Sequence, residues 1–262
     1  MKKSKKKTNT EEKAPKENQQ EELPSMSLLE HIEDLRQRLF RIVGGVVVGF
    51  FICWGFAEEI YDFLSRPLQE ILGPDQKLVF TKIQSPFILY MKVALLAGFF
   101  LAMPWILYQV WKFISPGLYK KERRMVFPFV FFTTIAFGGG VVFGYYVMFP
   151  NAFSFLLNVG AEFQPMLSVD DYFSLVNRLL LALGLVFELP ILIYFLSKLG
   201  LVTHRFLIKN IHWAIILSVI LGAVLTPPDV FSQIMLAAPL LLLYCLGILI
   251  SFVITRNREK KA

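Results

Sequence analysis

The amino-acid sequence predicts an all-α integral membrane protein of six transmembrane helices with both termini cytoplasmic. Three observations carry that expectation. Of the 262 residues, 55% are hydrophobic, and the mean hydropathy of +0.56 lies above the balance of a soluble domain. Six apolar runs approach or exceed the length that crosses about 30 Å of hydrocarbon. The segments between them alternate between basic and non-basic, which fixes their sidedness.

Residues 1–26 are mostly Lys, Glu, Gln, Asn, Thr and Pro. Such a stretch has too little apolar surface to offset its ordering entropy, so a disordered, lysine-rich cytoplasmic extension is expected. No apolar stretch follows the lysines closely enough for a secretory signal. The net charge of +7 is concentrated at the ends, in Lys2, Lys3, Lys5, Lys6 and Lys7 and in Arg256, Arg258, Lys260 and Lys261. Beside a membrane this pattern marks the cytoplasmic side rather than a nucleic-acid partner. Residues 255–262 read as a basic cytoplasmic tail.

Between these ends, residues 27–254 form the membrane domain. Leu28, Leu29, Ile32, Leu35 and Leu39 recur at helical spacing among charged residues, so Leu28–Arg41 is an amphipathic helix leading into the first span, Leu39–Phe56. The later spans are roughly Pro86–Trp111, Met125–Phe149, Phe173–Leu196, Ile211–Leu225 and Phe231–Ile254. The connections at 111–124 and 197–209 are rich in Lys and Arg, whereas 151–171 contains neither. The loop 58–85 is mixed, and Pro67 is expected to shape it. The fifth span is short, about 22 Å at 1.5 Å per residue, which predicts local thinning of the bilayer.

No catalytic or metal-binding constellation accompanies this pattern. GxxxxGK[ST], GxSxG and GxGxxG are absent, and Cys53, Cys245, His31, His204 and His212 form no ligand spacing. Neither a cofactor nor enzymatic activity is expected. The spacings Gly45–Gly49 and Gly140–Gly144 fit close helix packing in lipid.

Three polar stretches are more specific: His31–Ile32–Glu33–Asp34–Leu35–Arg36–Gln37–Arg38–Leu39; Phe113–Ile114–Ser115–Pro116–Gly117–Leu118–Tyr119–Lys120–Lys121–Glu122–Arg123–Arg124; and Leu225–Thr226–Pro227–Pro228–Asp229–Val230–Phe231–Ser232–Gln233. With Arg66–Pro67–Leu68, Ser85–Pro86–Phe87, Tyr108–Gln109–Val110–Trp111 and Phe187–Glu188–Leu189–Pro190, they resemble the TatC family, the core receptor subunit of the twin-arginine translocase. The resemblance covers essentially all of residues 27–254 and implies a cupped six-helix bundle in the bacterial cytoplasmic (inner) membrane.

It further implies that the chain binds twin-arginine signal peptides of folded cargo at the cytoplasmic face. TatA-type and TatB-type single-span subunits would be its partners, homo-oligomers would form within the complex, and the proton-motive force would drive transport. The implied signal site comprises Glu33, Asp34, Arg36, Phe113, Leu118, Tyr119, Lys120, Glu122 and Arg124. Glu122 matches the family's loop glutamate; where many members carry glutamate before Leu-Arg this chain has Asp34 preceded by Glu33, and either is a candidate for the contact. Carboxylates suit paired guanidinium groups because they accept bidentate hydrogen bonds. From spacing alone, the plainer reading is that Glu30, Asp34 and Arg38 are surface helix pairs worth a few tenths of a kcal/mol.

Glu188 is a carboxylate inside an apolar span beside the kinking Pro190, a functional candidate by its cost alone. By the resemblance, Thr226 and Gln233 are candidates for hydrogen bonds to partner helices. Asp229 is positioned to cap the sixth span. The competing function is an ion- or proton-coupled small-solute transporter using Glu188 and Lys92. That reading predicts internal repeats, and the two halves of the sequence show none that is convincing.

Overall fold

The computed structural model describes residues 28–73, 78–114, 126–163 and 166–259. Among them the chain runs through α1 (Leu28–Trp54), α2 (Ala57–Leu72), α3 (Ser85–Ile114), α4 (Val126–Phe143), α5 (Phe149–Val159), α6 (Val169–Phe187), α7 (Leu189–Leu199), α8 (His204–Lys209), α9 (Ile211–Leu225) and α10 (Val230–Glu259). An isolated bridge, Val79 to Ser168, is the extent of β pairing among the described residues. Five segments are long and apolar enough to cross a membrane: Leu29–Trp54, Ser85–Ile114, Phe127–Val159, Val169–Leu199 and Val230–Arg256. Shorter Ile211–Leu225 makes the sixth crossing. An even number of crossings brings Leu28 and Glu259 to one end, termed the terminal face; the opposite end is the distal face. The expected extension at 1–26 lies outside the described residues.

No proline separates the amphipathic stretch from the first apolar run, and the Gly44–Gly45 pair does not break it, so α1 is one helix of 27 residues, about 40 Å long. It packs antiparallel to α3 along its glycines. A Cβ added at Gly98 would lie 2.6 Å from the Gly49 carbonyl carbon, and one added at Gly45 would lie 2.6 Å from Trp105 Cδ1. The Trp105 indole N–H donates to the Arg41 carbonyl at 3.0 Å, pinning the register. Gly140 repeats the device in α4, where an added Cβ would meet the Leu183 carbonyl oxygen of α6 at 2.5 Å. The glycines are packing surfaces because removing side chains lets backbones approach in lipid.

Two stretches depart from the sequence expectation. The third apolar run does not stop at Phe149. Pro150 has no N–H to give, and the chain absorbs the missing bond in a π turn, Gly144–Met148, before continuing helically to Val159. The loop expected at 151–171 therefore shrinks to the few residues after Val159. The loop 58–85 is likewise corrected: most of its first half is the helix α2, and Pro67 lies inside that helix.

α2 survives its proline because another side chain replaces the missing donor. Pro67 cannot donate to the Phe63 carbonyl four residues earlier. The Tyr145 hydroxyl donates there instead, at 2.6 Å, with the Tyr145 and Phe63 rings stacked at 4.5 Å. The next carbonyl, Leu64, accepts from the Tyr172 hydroxyl at 2.7 Å. Two hydroxyls from the third and fourth crossings thus clamp α2 against a core containing Phe149, Phe173 and Leu180. Tyr145→Phe is expected to leave the Phe63 carbonyl orphaned and cost about 1–2 kcal/mol. Thermal unfolding in detergent checks this, with Tyr146→Phe, at a residue 63% exposed, as the silent comparison.

α6 and α7 are one crossing broken at Glu188. Pro190 withholds the N–H that the Val186 carbonyl would receive, and Glu188 N–H bonds back to Leu185 O at 3.1 Å. Beyond the break, α7 runs parallel to α10, with Ser197 Oγ donating to Ser251 Oγ at 2.8 Å. α9 buries only Ser218 and Gly222; Ile216, Leu217 and Ile220 stay exposed.

Candidate functional site

The antiparallel pairing of α1 and α3 brings the first two charged stretches to the same end. The His31 ring stacks on Phe113, centroids 4.5 Å apart and planes at 21°. His31, Asp34, Arg38 and Gly45 recur at helical spacing and share the α1 stripe that faces α3. Glu33, Arg36 and Phe40 occupy a neighbouring, solvent-facing stripe.

The carboxylates on these stripes differ in setting. Asp34 Oδ2 accepts the Arg38 Nε–H at 2.8 Å, and the two side chains are 20% and 9% exposed. Glu33 is 56% exposed and reaches Arg36 Nη1 only at 3.7 Å. Arg36 in turn lies over the Phe40 ring, 5.8 Å from its centroid. Glu33, Asp34, Arg36 and Phe113 therefore gather at the terminal face. Leu118, Tyr119, Lys120, Glu122 and Arg124 lie outside the described residues. Their segment is tethered to Ile114 at one end and to Val126 at the other.

An open groove of about 510 Å³ lies at the same end and is lined by Phe129, Phe132, Pro190, Ile191 and Tyr194 among others. Phe129 stacks on Trp111 at 4.8 Å, which joins this groove to the last turns of α3. The groove is apolar and presents no charged group.

The remaining predicted residues form no single cluster with these. Glu188 sits at the α6–α7 break, its Oε1 buried with no hydrogen-bond partner among the described residues. Thr226 and Gln233 stand at the distal face. The Thr226 hydroxyl donates within its own helix, to Gly222 O at 2.8 Å. The Gln233 amide donates across helices to Val219 O of α9 at 3.0 Å. Asp229 Oδ1 accepts from Ser232 N–H at 2.6 Å, an N-cap for α10. Among the described residues no group of three His, Cys, Asp or Glu side chains lies together as a metal site.

Sequence reasoning passed over Arg178, an exposed guanidinium inside α6. It donates to Val224 O at 3.4 Å, near the distal end of α9. That carbonyl needs a donor because residue 228, four positions on, is proline. An arginine in an apolar run, together with a Pro-Pro pair closing the next span, was the available signal.

Comparison with known proteins agrees with this architecture. The profile of the family described as Sec-independent protein translocase protein (TatC) matches residues 30–239. The Sec-independent protein translocase protein TatC of Koribacter versatilis is 44% identical over 247 residues, covering 92% of this chain and 91% of that protein. Its counterpart in Magnetococcus marinus is 41% identical, covering 89% and 87%. A crystal structure of a twin-arginine translocase receptor, TatC, superposes with a TM-score of 0.79 at 35% identity, covering 86% of this chain and all of that one. The chain is a multi-pass membrane protein and belongs to the TatC family of Sec-independent protein translocase proteins.

Proposed function

We propose that this chain is the receptor subunit of a twin-arginine translocase. It binds the signal peptides of folded cargo at the cytoplasmic face of the bacterial inner membrane. The terminal face is cytoplasmic in this reading, with both chain ends inside. The observation that carries it is the meeting of the acidic end of α1 with the end of α3, made by the His31–Phe113 stack. That contact sets the Asp34 end of α1 against the end of α3 from which the Glu122 segment continues; in this reading the two carboxylates, on separate segments, receive the leader's two arginines. Acceptor-only carboxylates recognise guanidinium groups by charge-assisted, planar hydrogen bonds that an ammonium makes less well. In this reading Phe113, Leu118 and Tyr119 receive the apolar residues that follow the arginines.

The distal Thr226 and Gln233, and Glu188 at the break in the fourth crossing, meet the single-span TatA-type and TatB-type partners in this reading. Glu188 brings to that contact an acceptor oxygen with no donor among the described residues. The chain acts as receptor and scaffold, not as an enzyme, and the proton-motive force drives transport.

A photo-crosslinker placed at positions 37 and 121, beside the two carboxylates and leaving both in place, tests the reading in membranes containing the whole complex. A leader with Arg-Arg is expected to label strongly at both, and the same leader with Lys-Lys weakly. Equal labelling by both leaders would overturn the receptor reading in favour of a transporter indifferent to them.

A further inference from the structure

Arg38 is 8% exposed, although it lies in the charged, membrane-flanking end of α1. Its Nη1 is buried with no acceptor among the described residues. Gln109, at about the same height on α3, is 2% exposed and has a buried Oε1 with no donor. A surface pair at i, i+4 contributes a few tenths of a kcal/mol. Burying a guanidinium with one nitrogen unpaired costs far more than that. Stability alone therefore does not account for an arginine here. Among the described residues its ion pair is with Asp34 Oδ2, at 2.8 Å.

We propose that Arg38 is a positioning residue that locks the Asp34 carboxylate for the signal peptide, making Asp34 rather than Glu33 the acceptor on α1. A free aspartate samples several rotamers; one held at Oδ2 by a buried Nε–H keeps a single orientation, which leaves its second oxygen to accept from an incoming guanidinium. Glu33, more than half exposed, meets only exposed partners, Arg36 at 3.7 Å and the Gln37 amide at 3.5 Å, and has no buried donor to fix it. A preorganised acceptor avoids ordering cost at the moment of binding and so sharpens discrimination between a planar guanidinium and a rotating ammonium. This inference rests on the receptor reading.

The test is a titration of labelled Arg-Arg and Lys-Lys leader peptides onto membranes containing the intact complex. Arg38→Gln is expected to weaken the Arg-Arg leader about 3-fold, part of the roughly 10-fold that the Asp34 carboxylate itself contributes. Binding of the Lys-Lys leader should stay nearly unchanged, so the ratio between the two collapses. Arg38→Lys, which keeps a cation within reach of Asp34, should restore part of the ratio. A purely structural role would instead lower both affinities together and leave the ratio intact, and that outcome overturns the proposal. Should Arg38→Gln fail to accumulate, Arg38→Met carries the same measurement. Asp34→Ala separates the two levels: if it weakens Arg-Arg binding about 10-fold while Arg38→Gln leaves the ratio unchanged, only the positioning role falls. If Asp34→Ala changes nothing, the receptor assignment at this residue falls with it.

Discussion

Gly98→Leu is expected to destabilise the protein by on the order of 3 kcal/mol or more, the upper range for overpacking a tight contact. The reason is backbone, not side chain. A Cβ at Gly98 would sit 2.6 Å from Gly49 C, and no rotamer change relieves a clash with main chain. The helices must separate, which loses the van der Waals contact that drives association in lipid. Separation also draws Trp105 from the Arg41 carbonyl and His31 from Phe113, so damage in mid-membrane reaches the terminal face. Gly44→Ala is the matched control: nothing lies within 4 Å of a Cβ there, and its effect should be neutral or mildly stabilising. Aggregation temperature in detergent and accumulation in membranes report both variants. Equal behaviour of the two would remove the glycine contact as the organiser of α1 and α3.

The spans were legible where chemistry punctuates them sharply. α9 begins and ends where read, at Ile211 and Leu225, because Lys209 precedes it and Pro227 follows. The continuity of the amphipathic stretch with the first span was legible for the converse reason, that nothing interrupts it. The misreadings share one cause: a proline whose lost hydrogen bond is made good from elsewhere. Pro67 inside α2 and Pro150 after the π turn both look like stops in one dimension. Only the fold supplies the Tyr145 hydroxyl and the wider turn that carry the helix through.

Within the site, the charged stretches were legible as motifs, but the choice between Glu33 and Asp34 was not. Adjacent residues on a helix point about 100° apart, and which one faces α3 depends on the partner's register. That register is set far away, by Gly49 on Gly98 and Trp105 on Arg41. Arg38 was readable as a helix pair with Asp34. Its burial, which changes its meaning, was not. Arg178 was missed because its acceptor is a carbonyl freed by a proline fifty residues away in sequence.

Asp34→Ala combined with Glu122→Ala is expected to reduce export of Arg-Arg cargo by about 100-fold or more while leaving insertion of the chain intact. Each carboxylate contributes about 1.5–3 kcal/mol through charge-assisted hydrogen bonds to its own guanidinium. Residues on separate segments that hold separate groups add nearly independently, so the single variants should each lose about 10-fold and the pair their product. Insertion should be spared because neither carboxylate lies within an apolar run and Asp34 is partly solvated. Asp34→Ala alone carries a structural cost, since it strips the buried Arg38 of its counter-ion. Glu122→Ala therefore gives the cleaner measure of recognition, and the Lys-Lys cargo serves as the baseline against which both are read. Export of Arg-Arg cargo undiminished in the double variant would mean that the leader is recognised elsewhere, and the meeting of α1 with α3 would then be packing alone.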